Sequence, residues 1–189
     1  MRIIFLIFLL NKTVMRIIHY IIVIMLALGI IASITTDDAN AELRRVKTSE
    51  VCKYLAHIGL STTNGWKKEG SRYACYSVIK EIGLSGPVWA PFLKNNLAYY
   101  AEGSAKAVDR LVLRVNVNNI EEEGGAHDEL LRAIEILVRK SLNESLPANI
   151  YEVVYGGRSG GSTIDDVFLN VEHINWKTGR GYEIKFIIQ

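Results

Sequence analysis

Residues 110–117 read RLVLRVNV. Leu111, Leu113, Val115 and Val117 alternate with Arg110, Val112, Arg114 and Asn116. A period of two belongs to an extended strand, whose successive side chains point to opposite faces. The first set forms a buried face and most of the second points to water, which makes Arg110, Arg114 and Asn116 a candidate interaction face. The expected partner strand is residues 96–102, NLAYYAE, joined to it through Gly103 and Ser104. The same alternation turns one of Tyr99 and Tyr100 away from the core.

Two further hairpins follow from the same logic. Residues 66–76 read as two strands around a Glu-Gly-Ser turn. Near the end of the chain, Val167, Leu169 and Val171 alternate on one strand and Tyr182, Ile184, Phe186 and Ile188 on another, with residues 178–181, TGRG, as the turn. Residues 83–91 contain two glycines and two prolines and are expected to be a loop.

Helical spacing appears in three places. Leu130, Ala133, Ile134, Leu137 and Val138 follow the i, i+3, i+4, i+7, i+8 pattern of an amphipathic helix. Asn118 or Asn119 caps it, while Gly124 and Gly125 predict a late or irregular entry. Pro147 suits the first turn of a shorter helix that buries Ile150, Val153 and Val154 and stops at Gly156. Ser49 is the expected cap of a first helix carrying Val51, Tyr54, Leu55 and Ile58 on one face and ending at Gly59. Strands in sequence-adjacent pairs with few helices between them predict an α+β domain. It is an antiparallel sheet of about five to six strands with helices on one face, preceded by an N-terminal signal or anchor helix.

The N-terminal part has a different composition. Residues 21–34, IIVIMLALGIIASI, are apolar and uncharged, preceded by Arg16 and followed by Thr35, Thr36, Asp37 and Asp38. A basic start, an apolar centre and small residues before a polar stretch are the layout of a secretory signal. Ala39 and Ala41 supply the small-x-small pattern, so cleavage is expected after Ala41 with Glu42 as the first mature residue. The alternative is an uncleaved anchor over residues 17–34, and this segment is the chain's one expected route to a membrane. MRII occurs at Met1 and again at Met15, which marks Met15 as the expected true start. The expected organisation is therefore a leader over 1–41 and a single exported domain, periplasmic or secreted, over 42–189.

The chain carries 22 basic and 20 acidic residues, and removing Arg2, Lys12, Arg16, Asp37 and Asp38 with the leader leaves 19 and 18. A net charge near +1 argues against nucleic acid, whose phosphates demand a clustered basic surface. The chain's two cysteines, Cys52 and Cys75, lie in the mature part. Export brings them to an oxidising compartment, so a disulfide between them is expected.

Sites for chemistry are sparse. The glycine-rich residues 156–163, GGRSGGST, could wrap an anion with backbone amides and Arg158. They lack the lysine and spacing of a nucleotide-binding loop and are read as a connector. A hydrolase over residues 156–166 would need His127 or His173 beside Ser159, Ser162 or Asp166, and no nucleophile-elbow pattern surrounds any serine. Glu172 and His173 are adjacent on a strand and point to opposite faces, a poor arrangement for one metal ion. No catalytic, cofactor-binding or metal-ligating residue is assigned and no cofactor is expected. The function read from the sequence is non-catalytic binding of a protein or cell-envelope component. A 156–166 hydrolase, or the same binding domain held at a membrane, is the alternative.

Overall fold

In the computed structural model residues 43, 45–84 and 93–189 are described. The segment expected to be a leader, the expected cleavage residues Ala39, Ala41 and Glu42, and most of the proline-containing loop lie outside the described residues. The chain is α+β, with an antiparallel sheet and helices on one of its faces.

The strands are β1 (Lys67–Glu69), β2 (Arg72–Tyr76), β3 (Lys80–Ile82), β4 (Asn95–Gly103), β5 (Val108–Val117), β6 (Gly160–Ile164), β7 (Val167–Asn175) and β8 (Tyr182–Ile188). Their order in space is β1-β2-β4-β5-β8-β7-β6, with β3 also paired to β4. The alternating segment is β5, and it occupies the middle of this order. Leu111, Leu113, Val115 and Val117 stand opposite Ile188, Phe186, Ile184 and Tyr182 of β8, and Ala101, Tyr99 and Leu97 of β4 face the first three from the other side. Nearly all of these are fully buried, which makes this inner face the floor of the core.

The sheet has eight strands among the described residues rather than five to six. One of the two extra strands is β3, which shares an edge of β4 with β2. β2 pairs with the Tyr100–Gly103 end and β3 with the Asn95–Leu97 end. Ser77 spans the break, its amide donating to Tyr99 O at 2.9 Å and its hydroxyl accepting from Tyr99 N at 2.9 Å. The other is β6, which comes from the segment expected to be a connector. Gly160 lies so close to Val153 that a Cβ would stand 2.9 Å from Val153 Cγ2, and at Gly161 a Cβ would be 2.6 Å from Leu169 O. Glycine is there because the strand is packed closely, not because it is loose. Asp165 and Asp166 make the tight β6–β7 turn, with Asp165 at φ 50°, a conformation a short polar side chain tolerates.

The helices are α1 (Thr48–Val51), α2 (Glu123–Leu142) and α3 (Ala148–Tyr155). The apolar stripe Leu130, Ala133, Ile134, Leu137 and Val138 of α2 is fully buried against the sheet. Its entry is irregular, as two glycines in the first turn predict. A 3-10 turn over Ile120–Glu122 precedes it, capped by Asn119, whose side chain accepts from Glu121 N. The helix itself begins at Glu123, ahead of both glycines. Asn143 ends it in the left-handed region at φ 61°. Pro147 is the residue before α3 rather than inside it, and Ile150 and Val154 are buried while Val153 packs at the margin.

The first helix is shorter than its spacing predicts, and Ser49 is not its cap. Lys47 holds that position and caps with no side chain. After one turn the bonds become i→i+3, as in Tyr54 N to Val51 O and Ile58 N to Leu55 O, and a 3-10 turn covers Ala56–Ile58. Val51, Tyr54, Leu55 and Ile58 are nonetheless buried. The apolar spacing therefore identifies what is buried but not the kind of turn. Tyr99 donates its hydroxyl to Val51 O at 3.1 Å, and Cys52 joins Cys75 of β2 in a disulfide with Cα atoms 5.9 Å apart. These two links fix the segment to the inner face of the sheet.

Candidate functional site

The side chains of β4, β5, β7 and β8 that do not enter the core share the opposite face of the sheet, which no helix covers among the described residues. Arg110 stands across from Glu102, Val112 from Tyr100 and Ile187, Arg114 from Ala98 and Lys185, and Asn116 from Asn96 and Glu183. The residues singled out by period two, Arg110, Arg114 and Asn116, do lie on one surface, joined by Tyr100 and Lys185 from neighbouring strands.

Glu183 organises the cations. Its carboxylate lies 3.3 Å from Arg114 Nε and 3.1 Å from Lys185 Nζ. The Arg114 contact has ion-pair distance without hydrogen-bond alignment, so its Nε, like that of Arg110, is buried with no hydrogen-bond partner among the described residues. The Arg114 guanidinium also rests 5.0 Å from the centre of the Tyr100 ring, a cation–π contact. Asn116 donates to Asn96 Oδ1 at 3.0 Å. A bulge at Glu102/Gly103 inserts Asp109 beside Arg110, and Asp109 pairs with Arg72 of β2 at 2.8 Å.

The centre of this face is apolar. Ala98, Val112 and Ile187 are buried although they point away from the helices. The aliphatic stems of Arg110, Arg114 and Lys185 and the Tyr100 ring stand around them, burying the stems and leaving the charged ends at the rim. Tyr100, Glu102, Arg110, Val112, Arg114 and Lys185 line a depression of about 150 Å³. Toward the far edge Phe168 is 45% exposed and Ile174 39% exposed on the same face. The face is thus an apolar floor with a rim of cations and carboxylates, the composition of a polar-rimmed contact surface.

His127 and His173 come together elsewhere. His127 is buried at the start of α2, and its Nε2 lies 2.9 Å from the Tyr182 hydroxyl, which donates to Glu123 Oε2 at 2.7 Å. The phenol has one proton, and giving it to the carboxylate makes Nε2–H the donor to the phenol oxygen. His173 points to the same inner side, its ring 4.5 Å from that of Tyr182, while Glu172 faces Lys185 on the outer side. Burial lowers the His127 pKa, helped by His173 and opposed by Glu123 and Asp128. Burial and the Glu123 carboxylate raise that of Tyr182.

Ser159 meets His173 through the wrong atoms for catalysis: its hydroxyl accepts from the His173 backbone amide at 2.9 Å. Ser162 stands opposite Leu169 in β6, and Asp166 belongs to the hairpin turn. Among the described residues no group of three or more His, Cys, Asp or Glu side chains could hold a metal ion. The His127–Tyr182–Glu123 chain has no signature in the sequence, since its members lie on two elements 55 residues apart. Lys185 and Tyr100 could have been placed on the outer face from the alternation of their own strands.

No family model, curated protein or solved structure matches the chain. Its function is therefore argued from the site alone.

Proposed function

We propose that the chain is a small exported, non-catalytic binding domain that holds a protein or a cell-envelope component against the helix-free face of its sheet. The observation that carries this reading is the arrangement of Arg110, Arg114 and Lys185 around the apolar centre Ala98, Val112 and Ile187. A disulfide and the absence of a membrane-crossing helix among the described residues are compatible with export. The expected leader over 1–41 supplies the route.

The partner expected for such a face is a folded surface or an extended segment bearing carboxylates near apolar side chains. Arginine at a rim of this kind offers planar, multiple N–H donors to a carboxylate. The test is capture from a cell-envelope fraction, with a photo-crosslinker at Asn116 and the substitutions Arg110→Glu and Arg114→Glu. Loss of the crosslinked species in the charge-reversed chain is expected, while Lys47→Glu on the helix side leaves it intact. Equal capture by both variants rejects this face.

A further inference from the structure

A second concave surface lies on the helix side of the molecule, away from the sheet face. Thr48, Ser49, Cys52, Lys53, Ala56, Ser61, Thr62, Gly65 and Trp66 line a depression of about 480 Å³. A second depression of about 380 Å³ is lined by Ser49, Glu50, Lys53, Tyr54 and Lys140. The two adjoin along Ser49 and Lys53, which line both, giving a grooved surface with Trp66 on one side of that pair and Tyr54 with Lys140 on the other. Each volume falls in the range of about 300–1,000 Å³ typical of small-ligand sites.

Three properties of this groove point to one ligand chemistry. Its walls present the hydroxyls of Thr48, Ser49, Ser61 and Thr62, none of them hydrogen-bonded to another described residue. Its aromatic end is held in place: the Trp66 indole N–H donates to Ser104 O at 3.1 Å, and part of the ring packs on the core. Its cations, Lys53 and Lys140, have no carboxylate partner among the described residues, whereas Glu50 pairs with Lys47 at 3.2 Å. Lys140 Nζ lies 5.8 Å from the centre of the Tyr54 ring.

We infer that this groove binds an acidic oligosaccharide, a chain of sugar rings bearing carboxylates. The C–H face of a sugar ring is apolar and packs on an indole, hydroxyls pair with hydroxyls that can both donate and accept, and ammonium groups receive the carboxylates. A purely apolar ligand would leave four hydroxyls and two cations without partners, and a small inorganic anion would leave Trp66 unused. The disulfide beneath the groove and the Trp66–Ser104 bond fix its walls before binding, which limits the entropy lost on association.

The test is titration of the full chain with a hexamer of galacturonate and, separately, with neutral chitohexaose, followed by calorimetry and by indole fluorescence. The expected result is saturable binding of the acidic oligomer, at least about tenfold tighter than the neutral one and weakened by salt. Lys53→Gln with Lys140→Gln, both on exposed positions, is expected to weaken acidic-oligomer binding by about tenfold or more, with thermal unfolding unchanged. Trp66→Phe retains part of the affinity and Trp66→Ala loses it. Failure of the acidic hexamer to bind, equal binding of the neutral one, or binding unaffected by loss of both lysines overturns the assignment. Arg110→Glu and Arg114→Glu leave this binding unchanged, so its outcome is separate from that of the sheet face.

Discussion

At the scale of single residues, Tyr182 ties the start of α2 to β8. Its hydroxyl accepts a hydrogen bond from His127 and donates one to Glu123, so the phenol oxygen and its proton are both engaged. Tyr182→Phe keeps the ring and removes both bonds, and is expected to cost about 1–3 kcal/mol in denaturant unfolding. His127 has a pH consequence of definite sign. Burial sets its folded-state pKa below the unfolded value near 6.5, with His173 acting in the same direction and Glu123 and Asp128 against it. The unfolded chain therefore binds the proton first, and stability present above that pH declines as the pH falls through it. Urea midpoints between pH 8 and 5 should fall toward acid in the parent chain and fall less in His127→Gln. A steeper acid loss in the variant would contradict the cause assigned here.

At the scale of elements, β6 shows why glycine was misleading. Residues 160–164 carry no apolar alternation, so nothing in their composition separates a strand from a connector. What makes them a strand is the neighbour: Val153 of α3 above Gly160, and the Leu169 carbonyl beside Gly161. Gly161→Ala must displace backbone and is expected to destabilise by about 1–3 kcal/mol, more than Gly160→Ala, where the obstacle is a side chain. β3 has no signature in the sequence because three residues are too few to show a period. In contrast, β4, β5, β7, β8 and the buried stripe of α2 were legible, since a half-buried element writes its geometry into every second or every third to fourth residue. Arg110, Arg114 and Asn116 could be assigned to one face for the same reason. Glu183, which organises that face, depends on strand register, and register across the 67 residues from Asn116 to Glu183 is not written locally.

At the scale of the whole molecule, two layers leave one sheet face to the helices and one to its surroundings. The disulfide ties the 48–58 segment to β2 across a separation of 23 residues and is expected to contribute about 3 kcal/mol by restricting the unfolded chain. Thermal unfolding with and without reductant measures it, and a Cys52→Ser, Cys75→Ser chain should match the reduced parent. In the proposed reading, the helix-side groove, the stapled N-terminal segment and the outer face are parts of one exported binding domain.

The proposed compartment and the covalent brace stand or fall together on an intact-mass measurement of the protein recovered from its own host, with the fractions outside the cytoplasm and the cytosol weighed separately. The prediction is a chain outside the cytoplasm that begins at Glu42 and is lighter by the two hydrogens lost when Cys52 joins Cys75. An unprocessed chain confined to the cytosol with both thiols reduced would contradict it.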